Sequence, residues 1–138
     1  IMKVRILSIT VVSYLFCTQL FADIHEVNNN EIINLMGKGV PLIDIRTKSE
    51  WHQTGVINKS KLLTFFDNGG NYNFKEWMSK LKKIADKQDP VIIICRSGRR
   101  SRIVANLLDQ KVFYSTVYHA TDGIISWIDA KKITVKPD

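Results

Sequence analysis

The sequence predicts an α/β fold, with a parallel sheet of four to five strands and helices on both faces. Two observations carry that expectation. Residues 91–94, Val-Ile-Ile-Ile, form a short wholly apolar, β-branched run of the kind found in strands buried on both faces of a parallel sheet. Strand-like runs at 42–45, 62–66, 91–94 and 116–119 also alternate with segments of helical periodicity. A length of 138 residues with 45% hydrophobic content bounds the chain at one domain able to bury a core.

The elements follow in order. Residues 1–22 read as a cleaved signal peptide. Met2-Lys3-Val4-Arg5 is a basic start, residues 6–16 are an apolar core interrupted by Ser8, Thr10 and Ser13, and Leu20-Phe21-Ala22 resembles a signal-peptidase site. The apolar stretch falls short of the roughly 20 residues a spanning helix needs. An uncleaved anchor is the competing reading; lipoprotein processing is disfavoured by the bulky Phe16 before Cys17. The expectation is an exported bacterial protein, periplasmic, with residues 23–138 as its single domain and no stable membrane insertion after cleavage. Asn28 with Glu31 forms a capping box for a helix over 31–36, stopped by Gly37 or Gly39. Thr47 and Glu50 form a second box, opening a helix that ends at Gly55, so Glu50 has a structural job and is not proposed as an acid or base. Asp67-Asn68-Gly69-Gly70-Asn71 is a turn or loop. Phe74, Trp77, Met78, Leu81, Ile84 and Ala85 recur at helical spacing with lysines between them, and this aromatic stripe is core. Asp89-Pro90 breaks the chain before 91–94, and a last helix spans 123–130.

The apolar run stops at Cys95, and Arg96-Ser97-Gly98-Arg99-Arg100-Ser101 leads into a helical pattern with apolar positions Ile103, Val104, Leu107 and Leu108. Ser101 is placed to cap that helix. In open α/β sheets ligands collect beyond the carboxyl ends of the strands, where Cys95 falls. Cys95 is expected to face a helix amino terminus, open to solvent, amid the guanidinium groups of Arg96, Arg99, Arg100 and Arg102. Such surroundings favour a nucleophilic thiolate. A packing cysteine gains nothing from neighbouring arginines, whose charges cost free energy if buried unpaired. Arg102, one turn into the helix, also reads as plain surface charge. Asp44 and Arg46 lie at the carboxyl end of the strand at 42–45, on the same edge. They either orient the cysteine loop by a hydrogen bond or ion pair, or fasten only their own loop.

Cysteine and charge narrow the function classes. Cys17 lies in the leader, so the mature chain keeps Cys95 alone and forms no internal disulfide. His25, His52 and His119 are scattered without metal-ligand spacing, and no metal or other cofactor is called for. The net charge of +7 falls to +5 once Lys3 and Arg5 leave with the signal. Nucleic acid is a poor partner for an exported protein whose lysines at 75–87 line a solvated helix face. The arginine loop instead attracts small anions.

Cys95-Arg96-Ser97-Gly98-Arg99-Arg100-Ser101 resembles the active loop of single-domain rhodaneses, sulfurtransferases that carry sulfur as a cysteine persulfide. Asp44-Ile45-Arg46 followed by Glu50-Trp51 is similar to that family's Asp-x-Arg strand and the helix after it. Val117-Tyr118 with Asp122-Gly123-Ile124 through Trp127 resembles its last strand and turn, so the likeness covers about 28–133. Two segments depart from the family pattern: Gly55-Val56-Ile57-Asn58-Lys59-Ser60, where Gly-His-Ile-x-Gly-Ala is usual, and Asp122-Gly123, where Gly-Gly is usual. The resemblance implies a rhodanese-like fold with Cys95 as the catalytic nucleophile. Arg96, Ser97, Gly98, Arg99 and Arg100 would bind the substrate, with Asp44, Arg46 and Ser101 supporting the loop. It further implies a small anionic sulfur donor such as thiosulfate, and cyanide, a thiol or a partner protein as acceptor. Converging backbone amides aided by a helix dipole would hold the anionic sulfur, with Gly98 letting the backbone fold around it. A non-catalytic sulfur-carrier or binding module is the alternative. A cysteine phosphatase or arsenate-handling enzyme fits less well: such phosphatases use Cys-x5-Arg, and counting from Cys95 that arginine position holds Ser101.

Overall fold

The computed structural model of the chain describes residues 24–112 and 114–138; the signal segment expected over 1–22 and its expected cleavage point lie outside the described residues. Strands and helices alternate: β1 Ile24–Val27, α1 Asn29–Gly37, β2 Leu42–Asp44, α2 Lys48–Thr54, β3 Lys61–Leu62, α3 Phe74–Leu81, β4 Val91–Ile94, α4 Arg99–Gln110, β5 Val117–Ala120 and α5 Gly123–Asp129. The strands form one parallel sheet in the order β1-β5-β4-β2-β3.

The apolar run at 91–94 is the central strand, and each of its residues is buried. Alternate side chains enter opposite layers, as the two-residue period of a strand requires. Ile93 packs with Trp77 and Leu81 of α3 and Val104 and Leu108 of α4. Ile92 and Ile94 pack on the other face with Ile32 of α1 and Ile124 and Trp127 of α5. Both expected capping boxes are formed, at Asn28 with Glu31 and at Thr47 with Glu50.

Several expectations change. The run at 62–66 pairs as a strand only at Lys61–Leu62, on the sheet edge. Beyond it, Leu63 and Phe65 donate to the carbonyls of Asp44 and Ile45 while Phe65 turns into an aromatic cluster with Phe66, Tyr72, Phe74 and Trp77. β1 was not expected: it is the opposite edge, so His25 and Glu26 stay exposed and blur the strand pattern. The helix predicted through Ala85 stops at Leu81, although Ile84 and Ala85 still pack on the core from the following turns. Ile103, expected in the core, is 46% exposed.

The sheet order places a topological switch between β2 and β4. The chain leaves β2 outward to β3 and leaves β4 in the other direction to β5. The crevice beyond these strand ends is where such sheets bind ligands, and Cys95 follows β4 directly. On the β2 side, Asp44 and Arg46 are 1% and 0% exposed. The Arg46 guanidinium donates to Asp44 Oδ1 and Oδ2 from Nε (3.0 and 3.2 Å) and to Oδ2 from Nη2 (2.8 Å). It also donates to Thr54 Oγ1 (2.8 Å) and the Gly55 carbonyl (3.0 Å). Every one of these partners lies between residues 44 and 55, so the pair fastens its own segment, and among the described residues it makes no bond to the cysteine loop. Breaking a buried pair from one side strands a charge, which costs about 3–5 kcal/mol. Arg46→Met should therefore lower unfolding free energy by about that amount in urea denaturation, with Asp44→Leu added to it recovering part of the loss. A single-variant loss below about 1 kcal/mol would show that water, not Arg46, satisfies Asp44.

Candidate functional site

The loop after β4 is shaped by two glycines. Gly98, at the amino-terminal cap of α4, adopts φ 98° and ψ −13°, a left-handed conformation that side chains disfavour. Its amide donates to Cys95 Sγ at 3.2 Å. A Cβ at Gly98 would run into the Thr121 carbonyl, and one at Gly123 (φ +62°) into the Arg96 carbonyl. The loop thus lies directly against the turn between β5 and α5. Ile124 and Ile125, in the first turn of α5, donate their amides to the carbonyls of Cys95 (3.0 Å) and Arg96 (3.1 Å). Those amides would lack partners in an isolated helix; here they fix the path of the cysteine loop.

Cys95 is 1% exposed, at the base of the loop rather than open to solvent as expected. Ser101 does not cap α4, because the helix already begins at Arg99. Ser101 is instead fully buried, with its Oγ 3.2 Å from Cys95 Sγ, 3.2 Å from the Gly98 carbonyl oxygen and 2.8 Å from His119 Nε2. It supports the loop from beneath. His119 is itself fully buried, and its Nδ1 lies 2.8 Å from Glu26 Oε2. Glu26 also accepts from Thr121 Oγ1 (2.6 Å) and pairs with Arg102 (2.7 Å). Burial pushes the Glu26 carboxyl up, but the hydrogen bonds from Thr121, His119 and Arg102 outweigh it and bring the carboxyl down to a pKa of about 2. Sequence reasoning missed His119 and Glu26. The available signal was a histidine in a strand-like run; its partner is 93 residues away, in the edge strand that the pattern did not reveal.

The arginines divide into two pairs. Arg100 grips Glu50 with both terminal nitrogens, at 2.8 and 2.6 Å, and Arg102 is held by Glu26. Arg96 and Arg99 are exposed, as is Ser97, and neither arginine makes an ion pair among the described residues. The expected set of free guanidinium groups around Cys95 therefore contracts to Arg96 and Arg99. Glu50 closes the capping box of α2 and clamps α4 as well. Arg100 holds the Glu50 carboxyl down at about 2, against burial, and Glu50 in turn raises the Arg100 guanidinium.

A strand end carrying a cysteine, a glycine amide aimed at its sulfur and an arginine-bearing helix start agrees with the family comparison: the Rhodanese profile, a rhodanese-like domain, matches residues 28–130. The chain belongs to this family. An uncharacterized protein of Rickettsia prowazekii is 38% identical over 86 residues, covering 59% of this chain and 67% of that protein. Among solved structures, the polysulfide-sulfur transferase homodimer of Wolinella succinogenes is similar with a TM-score of 0.62 and 17% identity, over 86% of this chain and 82% of that one. A protein of unknown function from Rhodopseudomonas palustris, described as a possible tyrosine phosphatase, is similar with a TM-score of 0.60 and 23% identity, over 81% of this chain and 85% of that one. At these identities both structures speak to the fold alone.

The departures from the rhodanese pattern have local explanations. Of the usual Gly-Gly before the last helix, the second position is the one pressed against the loop, and it is glycine here, Gly123. In the other segment Gly55 takes φ +76° against Thr134, and Val56 bridges to Val135, so the carboxyl-terminal segment braces that turn. Acid should expose the Glu50 clamp. A carboxyl depressed on folding contributes stability that is complete above its unfolded value, near 4.5, and is lost as pH falls through about 2. Wild type should therefore exceed Glu50→Gln in urea midpoint at pH 6, and the two should converge as pH approaches 2. Parallel curves across that range would mean that Glu50 stabilises by packing alone.

Proposed function

We propose that this protein is a sulfurtransferase that moves a sulfane sulfur from a small anionic donor such as thiosulfate to cyanide, a thiol or a partner protein through a Cys95 persulfide. The observation that carries the reading is the Cys95 sulfur accepting the Gly98 amide at the start of a helix, with Arg96 and Arg99 of the same loop exposed and in no ion pair among the described residues. An amide and a helix dipole stabilise an anionic sulfur without a metal. In the first half-reaction the thiolate attacks the outer sulfur of thiosulfate; the donor S–S bond breaks and sulfite leaves with the electron pair. In the second, the acceptor attacks the outer persulfide sulfur, and the pair of that bond returns to Cys95 as thiolate. Arg96 and Arg99 serve to gather the dianion and ease departure of sulfite.

A phosphatase reading is weaker on two counts. The interval from Cys95 to Arg100 is Cys-x4-Arg, and Arg100 is occupied by Glu50. A cysteine at 1% exposure also suits transfer of one sulfur atom better than attack on a bulky ester. Incubation with thiosulfate should make the protein heavier by one sulfur atom on mass spectrometry, and cyanide should remove it. Cys95→Ser should abolish both the gain and turnover, because a serine hydroxyl cannot form a persulfide, and ping-pong kinetics should accompany the cycle. Mass gain without turnover would identify a carrier. Full activity in Cys95→Ser, or phosphate-ester hydrolysis with no sulfur gain from any donor, would refute the persulfide.

Export to the periplasm with cleavage after Ala22 is part of the same proposal. It is supported by the basic start, the apolar core and the small residue at the cleavage position. Amino-terminal sequencing of fractionated protein should begin at Asp23; recovery from the cytosol with Met2 retained would refute it.

A further inference from the structure

Behind the cysteine, a hydrogen-bonded line runs from the buried sulfur to the protein surface. Its members come from four places in the fold: Cys95 after β4, Ser101 in α4, His119 in β5 and Glu26 in β1. Each contact is short: 3.2 Å from Cys95 Sγ to Ser101 Oγ, 2.8 Å from Ser101 Oγ to His119 Nε2, and 2.8 Å from His119 Nδ1 to Glu26 Oε2. Counting protons along this line decides what it can do. Glu26, as a carboxylate, only accepts, so His119 Nδ1 carries a hydrogen. His119 Nε2 faces two oxygens, the Ser101 hydroxyl and, at 3.0 Å, the Gly98 carbonyl. The carbonyl also only accepts. A bare Nε2 would turn its lone pair toward that carbonyl, whereas a protonated Nε2 satisfies it. With Nε2 protonated, the Ser101 hydrogen is released to point at Cys95 Sγ, which then accepts from Ser101 and from the Gly98 amide. The Gly98 carbonyl also lies 3.2 Å from Ser101 Oγ, and once it accepts from Nε2 it no longer needs the single Ser101 hydrogen, so the arrangement accommodates sulfur as thiolate and His119 as imidazolium.

We propose that His119, held by Glu26, receives the Cys95 thiol proton through Ser101 and so maintains the free enzyme as thiolate. The S–H bond breaks as a Ser101 O–H bond forms, and the original Ser101 proton passes to His119 Nε2; no electron leaves or enters the site. The inference rests on the reading of Cys95 as the nucleophile. His119 is a positioning and proton-holding residue, since it touches the sulfur only through Ser101. Glu26 stabilises the imidazolium, and Arg102 and Thr121 fix the carboxylate in place.

The surrounding charges are accounted for element by element. On β5's other flank, the residue paired with His119 is Ile93 of β4, which is apolar. On β1, His25 lies against Tyr118 rather than His119. From α4, Arg102 is taken up by Glu26; Arg100 is paired with Glu50 of α2 yet still faces the Cys95 sulfur, a contribution common to wild type and every variant below, while Arg96 and Arg99 are exposed. On β2, Asp44 and Arg46 neutralise each other.

The test is an ultraviolet titration of thiolate absorbance in the full chain, read as the difference from Cys95→Ser so that Cys17 cancels. Glu26→Gln decides the matter by sign. A carboxylate acting only through its field would disfavour a nearby thiolate, so its removal would move the thiolate midpoint down. A carboxylate acting through His119 favours the thiolate, so its removal should move the midpoint up by one pH unit or more, a tenfold or greater loss of thiolate on the acid side. His119→Gln should shift it in the same direction, as should Ser101→Ala by breaking the link. Glu26→Gln alters a side chain that is 41% exposed and so keeps the test independent of whether the His119 variant folds. Midpoints that coincide with wild type, or that move down in Glu26→Gln, overturn the relay. Because the titration needs no sulfur donor, an upward shift supports the relay even if no persulfide ever forms, and a persulfide with unshifted midpoints removes the relay alone.

Discussion

The site depends on one backbone contact, that between the cysteine loop and the turn leading into α5. The carbonyls of Cys95 and Arg96 accept the amides of Ile124 and Ile125, and the approach is close enough that neither Gly98 nor Gly123 has room for a Cβ. Without this contact the residues between β4 and α4 would be an ordinary surface connection, free to sample many paths. With it, the Gly98 amide is set on the Cys95 sulfur and α4 starts where its first turn can bring Ser101 beneath the same atom. The strands that carry the two partners, β4 and β5, are neighbours in the sheet. Sheet register therefore sets the spacing on which the loop relies.

Charge around the loop is organised rather than merely positive. Two of its arginines are consumed as braces, Arg100 to α2 through Glu50 and Arg102 to β1 through Glu26. A guanidinium held bidentately in a partly buried clamp keeps geometry at the expense of availability. That leaves Arg96 and Arg99 as the solvent-facing cations, suited to meeting an anion that arrives by diffusion. The formal positive charge of the loop overstates what a donor would meet, and the two acidic partners explain why so basic a helix start is tolerated.

Much of this was legible from composition and order. The apolar run ending in Cys95, the two capping boxes and the alternation of periods specified a parallel α/β sheet and put the cysteine at its carboxyl edge. What escaped the sequence were long-range pairings. Nothing local ties Glu50 to Arg100, 50 residues on, or Glu26 to His119. β1 was invisible because an edge strand needs apolar residues on only part of its length, and Ile-His-Glu-Val meets that minimum. A serine beside a helical pattern usually caps it, and the local sequence around Ser101 favours that role. The left-handed Gly98 starts the helix three residues earlier and turns that hydroxyl inward instead.

The distribution of buried polar groups ties these pieces together. Among the described residues, the buried polar or charged side chains are Asp44, Arg46, Ser101, Asp109 and His119. All but Asp109 lie toward the carboxyl ends of the strands, around Cys95. Burial of such groups costs free energy that an apolar side chain would avoid, so stability alone gives no reason to concentrate them there. Ser101 and His119 lie directly behind the sulfur. Asp44 and Arg46 act at one remove: Arg46 donates to the Glu50 carbonyl (3.5 Å), Thr54 and Gly55, which sets α2 on the sheet. The Glu50 carboxylate then holds Arg100 in the first turn of α4. The Asp-x-Arg strand thus reaches the cysteine loop through a helix rather than by contact. It positions the acid that fixes one side of the loop, while Glu26 and His119 fix the other.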